Sequence, residues 1–99
     1  MKASIAIQVL PLIEGDEKIC EIVDEVIAYI ETLDLKYEVG PFETTIEGES
    51  LEELMNIATE CIQIANRAGG DKIAAYMKLF YAPEKNILSI DDKIDKYRK

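Results

Sequence analysis

The side chains with most chemistry to offer stand at alternate positions of short, strand-like runs. In Thr44-Thr45-Ile46-Glu47, a period of two puts Thr45 and Glu47 on one face and Ile46 on the other. Ser4, Ala6 and Gln8 alternate in the same way with Ile5, Ile7 and Val9. Tyr76, Lys78 and Phe80 alternate with Ala75, Met77 and Leu79. A carboxylate, hydroxyls and a carboxamide sharing a surface can exchange hydrogen bonds with a polar ligand. They do not supply the usual general base, because the 99 residues include no histidine. Acid–base catalysis would have to rest on a carboxylate, tyrosine or lysine with a displaced pKa. Cys20 and Cys61 form no CxxC pair, and both are expected to be reduced, mostly buried thiols acting as small apolar residues. No catalytic residue, metal ligand or cofactor is therefore assigned.

The elements that must position these groups follow from the same periodicities. Residues 3–12 read as a strand that Pro11 ends or confines to an edge. Gly15 and Asp16 supply a turn and an N-cap for a helix over 17–33, with Ile19, Val23, Val26, Ile27, Ile30 and Leu33 at helical spacing. Cys20 borders that stripe, and Glu21, Asp24, Glu25 and Glu31 lie mostly outside it as a solvated face rather than a metal site. A hairpin occupies the middle of the chain: Tyr37 and Val39 alternate with Lys36 and Glu38, Gly40-Pro41 breaks the run, and β-branched Thr44, Thr45 and Ile46 resume it. Ser50 with Glu53 is a capping box opening a helix over 51–68, striped by Leu51, Leu54, Ala58, Cys61, Ala65 and Ala68. Gly69-Gly70 ends it. Residues 71–82 form the last long strand, and Ser89 with Asp92 begins a C-terminal helix too short to hold by propensity alone.

The order β-α-β-β-α-β is the ferredoxin-like, split βαβ arrangement of an α+β domain spanning residues 1–99. Two helices pack on one face of a four-stranded antiparallel sheet, facing Ile5, Ile7, Val9, Ile46, Ile73, Met77 and Leu79. The opposite face carries Ser4, Ala6, Gln8, Thr45, Glu47, Tyr76, Lys78 and Phe80. It has too few charges for a face left open to water, which implies a cover: a second subunit, a ligand or both. A plain sheet-to-sheet dimer, with Gln8 and Glu47 as interface polar groups, accounts for the pattern equally well.

Composition narrows the partners. A net charge of −9 disfavours nucleic acid, whose affinity rests on neutralising phosphate, and suits a cationic ligand. No run approaches the ~20 apolar residues of a membrane span. Pro11, Glu14 and Asp16 follow Lys2 too soon for a signal peptide, so a cytoplasmic protein is expected.

VLPL closing the first strand, KYEVGPFETTIEG across the hairpin and the terminal SIDDKIDKYRK resemble the small thiamine-binding proteins of the YkoF-like superfamily. The hairpin is the most specific part, and the resemblance runs over nearly the whole chain. It implies a ferredoxin-like fold, association through sheets into dimers and tetramers, and non-catalytic binding of thiamine or its hydroxymethylpyrimidine moiety. By position it points to Thr45, Glu47 and Gln8 as ligand-binding residues, to which Ser4 and Tyr76 are added from the same face. An aminopyrimidine has an exocyclic amine donor and ring-nitrogen acceptors, which suit a carboxylate with hydroxyl and amide groups. A cationic thiazolium suits aromatic rings and an acidic surround. A diphosphate does not fit, for want of a glycine-rich phosphate loop and because of the negative charge. The alternatives are a small-molecule enzyme on the same fold, which would consume its ligand, and a regulatory or structural oligomer, which would bind none.

Overall fold

The structure, a computed structural model, describes residues 2–98. The elements run β1 (Ala3–Pro11), α1 (Asp16–Glu31), β2 (Tyr37–Val39), β3 (Thr44–Gly48), α2 (Leu51–Arg67), β4 (Ile73–Tyr81) and a short α3 (Ile90–Ile94) continued by a 3-10 turn at Asp95–Tyr97. The sheet order is β2-β3-β1-β4, and all neighbours are antiparallel. This is the ferredoxin-like fold read from the element order.

The core lies between the sheet and the two long helices. Ala3, Ile5 and Ile7 of β1 and Ile46 of β3 meet Ile22, Val26 and Ile30 of α1 and Leu54, Ile57, Ala58, Cys61 and Ala65 of α2. The small residues Ala58, Cys61 and Ala65 let the backbone of α2 come close to the strands. Two stripes shift from expectation. Ile22, not Ile19 or Val23, anchors α1, since Ile22, Val26 and Ile30 are spaced by four and stack on one line of the helix. Ile57 joins the buried row of α2, while Met55 is exposed. Cys20 also departs from expectation: it is exposed, two positions before Ile22 and so on the far side of the helix from the buried row, whereas Cys61 is buried as expected.

Helix ends follow local chemistry. Gly15, at φ +100°, is the N-cap of α1 and Asp16 its first helical residue, so the cap falls one position earlier than the sequence suggested. Ser50 Oγ accepts from the Glu53 N–H at 3.0 Å, but the Glu53 carboxylate reaches the Glu49 amide, so only half of the expected box forms. The full reciprocal box is at α3, where Asp92 N–H donates to Ser89 Oγ and Ser89 N–H to Asp92 Oδ2. Gly69, at φ +125°, takes the left-handed conformation that terminates α2.

β4 is an edge strand, and this changes the reading of its apolar residues. Met77 and Leu79 pair with Ile7 and Ile5 and so share the helix side, yet they are 45% and 43% exposed. The helices cover the sheet's centre and leave the C-terminal half of β4 bare on both faces. No helix among the described residues is long and apolar enough to cross a membrane.

Candidate ligand-binding site

The strand register sets the open face in rows. One row runs Phe80, Ser4, Glu47 across β4, β1 and β3. The next runs Lys78, Ala6, Thr45, Glu38 and reaches β2. A third pairs Tyr76 with Gln8 beyond the last β1–β3 pair, Ile7 with Thr44. Of the five expected ligand-binding residues, Ser4, Thr45 and Glu47 thus fall in adjacent rows, while Gln8 and Tyr76 sit together one row further along.

Over these rows lies the chain's own C-terminal segment. Ile90 is only 5% exposed although α3 has five residues, so α3 is anchored through that side chain. The cover expected from a subunit or ligand is partly supplied from within. Ser4, Ala6 and Thr45 form a low floor, Phe80 and Lys78 one side, Glu38, Gly40 and Glu43 the other, and Ile90, Lys93 and Ile94 the roof of a cleft of about 570 Å³. That volume falls in the range of small-molecule sites. Gln8 instead lines a smaller, mostly apolar groove of about 210 Å³ beside Val39, Pro41 and Phe42.

Charges around the cleft are paired. Lys78 Nζ meets Glu43 Oε1 at 3.1 Å, and Lys93 Nζ stands 4.8 Å from the centre of the Phe80 ring. At the far side Arg98 donates to Asp91 at 2.8 Å, to Asp95 at 2.6 Å and to Glu38. Lys36 reaches Asp91 at 3.3 Å. The Arg98 and Lys36 hydrogen bonds hold the Asp91 carboxyl below the usual range, and Asp91, with Glu38 and Asp95, raises the Arg98 guanidinium in turn. Glu47 stands apart from this network. Its Oε2 accepts the backbone N–H of Ile90 at the first turn of α3. A carboxylate there also faces the positive end of the short helix.

Sequence reasoning passed over Glu38, Glu43, Lys93, Ile94 and Arg98 as site neighbours. They meet only when residues up to 60 positions apart are folded together, and no local period marks them. Among the described residues no group of three or more His, Cys, Asp or Glu side chains could hold a metal ion. The arrangement can orient a flat polar molecule between hydroxyl, carboxylate and aromatic groups.

Known proteins share this build. A UPF0045 protein of Clostridium perfringens (strain 13 / Type A) is 37% identical over 95 residues, 96% of each chain. Protein SP2199 of Streptococcus pneumoniae is 42% identical with a TM-score of 0.80, over 96% of this chain and 99% of the other. A Thermotoga maritima protein assigned provisionally to thiamine biosynthesis/salvage is 31% identical with a TM-score of 0.83, over 99% of this chain and 100% of the other. The thiamine-binding protein family matches residues 5–98, which include the hairpin and the C-terminal segment. The chain belongs to the thiamine-binding protein family.

Proposed function

We propose that the protein binds thiamine or its hydroxymethylpyrimidine moiety without transforming it, in the cleft between the open sheet face and α3. The observation that carries this reading is the grouping of Ser4 and Thr45 on the floor of one cleft, with Glu47 paired to Ser4 beside it and held beneath α3. The exocyclic amine of the pyrimidine donates to the Glu47 carboxylate, and the Ser4 and Thr45 hydroxyls serve the ring nitrogens. The thiazolium lies between Phe80 on one side and Glu38 and Glu43 on the other, in place of the Lys93, Arg98 and Lys78 cations that these groups hold in the ligand-free chain. Gln8 and Tyr76 extend the polar surface outward. Binding serves carriage, salvage or sensing in the cytoplasm. The lack of histidine favours binding over turnover.

The reading includes a homo-oligomer, a tetramer built from dimers. Leu12 N–H bonds Lys72 O and Ala82 N–H bonds Lys2 O, so the even-numbered residues of β1 and β4 bond each other. The N–H and C=O groups of Ile73, Ala75, Met77, Leu79 and Tyr81 therefore point outward from the edge. Within β4 only Lys78 is charged, and it pairs with Glu43, so little guards this edge against a second copy.

Titration calorimetry with thiamine, hydroxymethylpyrimidine and thiamine diphosphate tests the ligand. Saturable binding of one of the first two, recovered unchanged, supports the reading. Binding of the diphosphate alone, or of none, overturns it.

A further inference from the structure

We infer that the C-terminal segment, residues 88–98, is a strap that opens and closes over the cleft as a unit, with Glu47 as its latch. The segment leaves β4 through an irregular stretch containing Pro83 and crosses the whole sheet to β2. It is too short to be helical on its own account, since nucleating one turn costs more than a five-residue helix recovers. Besides Lys36 on Asp91 and Lys93 over the Phe80 ring, three attachments hold it instead. Ile90 is buried against the sheet, its amide is taken by Glu47 Oε2, and Arg98 joins Glu38 of β2 to Asp91 and Asp95 of the strap itself. The Ser89–Asp92 box fixes the first turn so that the Ile90 N–H is presented to Glu47.

Glu47 lies beside the cleft, next to Ser4 and beneath Ile90, so an amino-bearing ligand reaches its carboxylate only where the closed strap sits, and strap and ligand compete for that place. In the closed state Ile90 N–H occupies Glu47. A pyrimidine amine that takes its place releases the latch and leaves the strap held by Ile90, the Lys36–Asp91 pair and the Arg98 clasp. This competition rests on the binding reading above; the strap's hinged behaviour does not. Segments with one buried side chain and exposed ion pairs lie at the low-stability end of a fold, where opening precedes global unfolding. Salt weakens the clasp because its members are solvent-exposed.

Hydrogen exchange followed by mass spectrometry tests this on the whole chain. In the ligand-free protein, Arg98→Gln is expected to speed exchange across 88–98 by roughly fivefold, with β1 and β3 unchanged. Hydroxymethylpyrimidine at saturation is expected to speed exchange of the Ile90 amide in the wild type. A strap rate that Arg98→Gln leaves unaltered, or a rise spread equally over the sheet, overturns the hinged strap. Slower Ile90 exchange with bound ligand overturns the latch. If neither hydroxymethylpyrimidine nor thiamine binds, the binding reading and the latch competition fall together; if thiamine alone binds, it takes the place of hydroxymethylpyrimidine in the exchange arm, and the ligand-free arm decides the strap in either case.

Discussion

Replacing Gly48 with alanine tests the packing that places Glu47 beside the cleft and beneath α3. A Cβ at Gly48 would lie 2.9 Å from Glu53 Oε1, 3.0 Å from Leu54 Cδ2 and 3.1 Å from Leu54 Cγ. The Glu53 carboxylate ends a flexible, exposed side chain and can swing away, losing its contact with the Glu49 amide at 3.4 Å. Leu54 has no such freedom. It is fully buried, and it follows a first turn pinned by Ser50. The added methyl therefore pushes β3 from α2, and overpacking of this kind costs roughly 1–3 kcal/mol. In a domain of this size the middle of that range lowers Tm by about 10 °C. Scanning calorimetry on the wild type, Gly48→Ala and Gly48→Ala/Glu53→Ala measures the cost and identifies the clashing neighbour. The double variant should recover little. A Gly48→Ala Tm within about 2 °C of wild type, or full recovery on removing Glu53, would refute the packing argument.

Glu47→Gln keeps the shape of the side chain and replaces one acceptor with a donor, so affinity for thiamine should fall roughly 10- to 100-fold with the fold intact; calorimetry on both forms checks it. One thiol per chain, Cys20, should react quickly with a maleimide, because Cys61 is buried; mass spectrometry after labelling counts the adducts. Burial, helped by Glu60, raises the Cys61 thiol from 9.0 to about 11. The folded chain keeps a proton that the unfolded chain releases, so stability present below pH 9.0 should be lost as pH rises towards about 11. Tyr29 is raised also, chiefly by burial, and adds to the same loss; melting curves across this range, flatter in Cys61→Ala, read it out. Leu79→Glu places a charge on the bare edge of β4 and should give a smaller species than wild type by light scattering; an unchanged mass rejects β4 as the dimer edge.

Much of the fold was legible because the strands alternate cleanly. Ser4, Ala6 and Gln8 against Ile5, Ile7 and Val9 fixes which face of β1 meets the helices, and antiparallel pairing carries that choice to Thr45, Glu47, Tyr76 and Phe80. Turn and cap residues marked the breaks at Gly40-Pro41, Ser50 and Gly69. The helix rows were harder to read. Ile19, Ile22, Val23, Val26 and Ile27 form an apolar band broad enough to allow two rotations, and only packing selects Ile22 over its neighbours. The exposure of Met77 and Leu79 reflects where the helices stop covering the sheet, a property of tertiary placement and not of strand period. At the cleft, the floor was visible and the roof was not. α3 was expected to need something to pack on, but nothing local says that its support is its own sheet. The Arg98 clasp and the use of Glu47 on Ile90 arise from contacts across 60 and 43 positions.

Native mass spectrometry of the purified protein with added thiamine tests the central claim most directly, because it reports subunit number and ligand stoichiometry together. The account predicts an oligomer whose mass rises by one unaltered thiamine per chain, with occupancy reduced in Glu47→Gln at the same thiamine concentration. A chain that takes up no thiamine or hydroxymethylpyrimidine at saturating concentration, or that returns the ligand chemically changed, would contradict it.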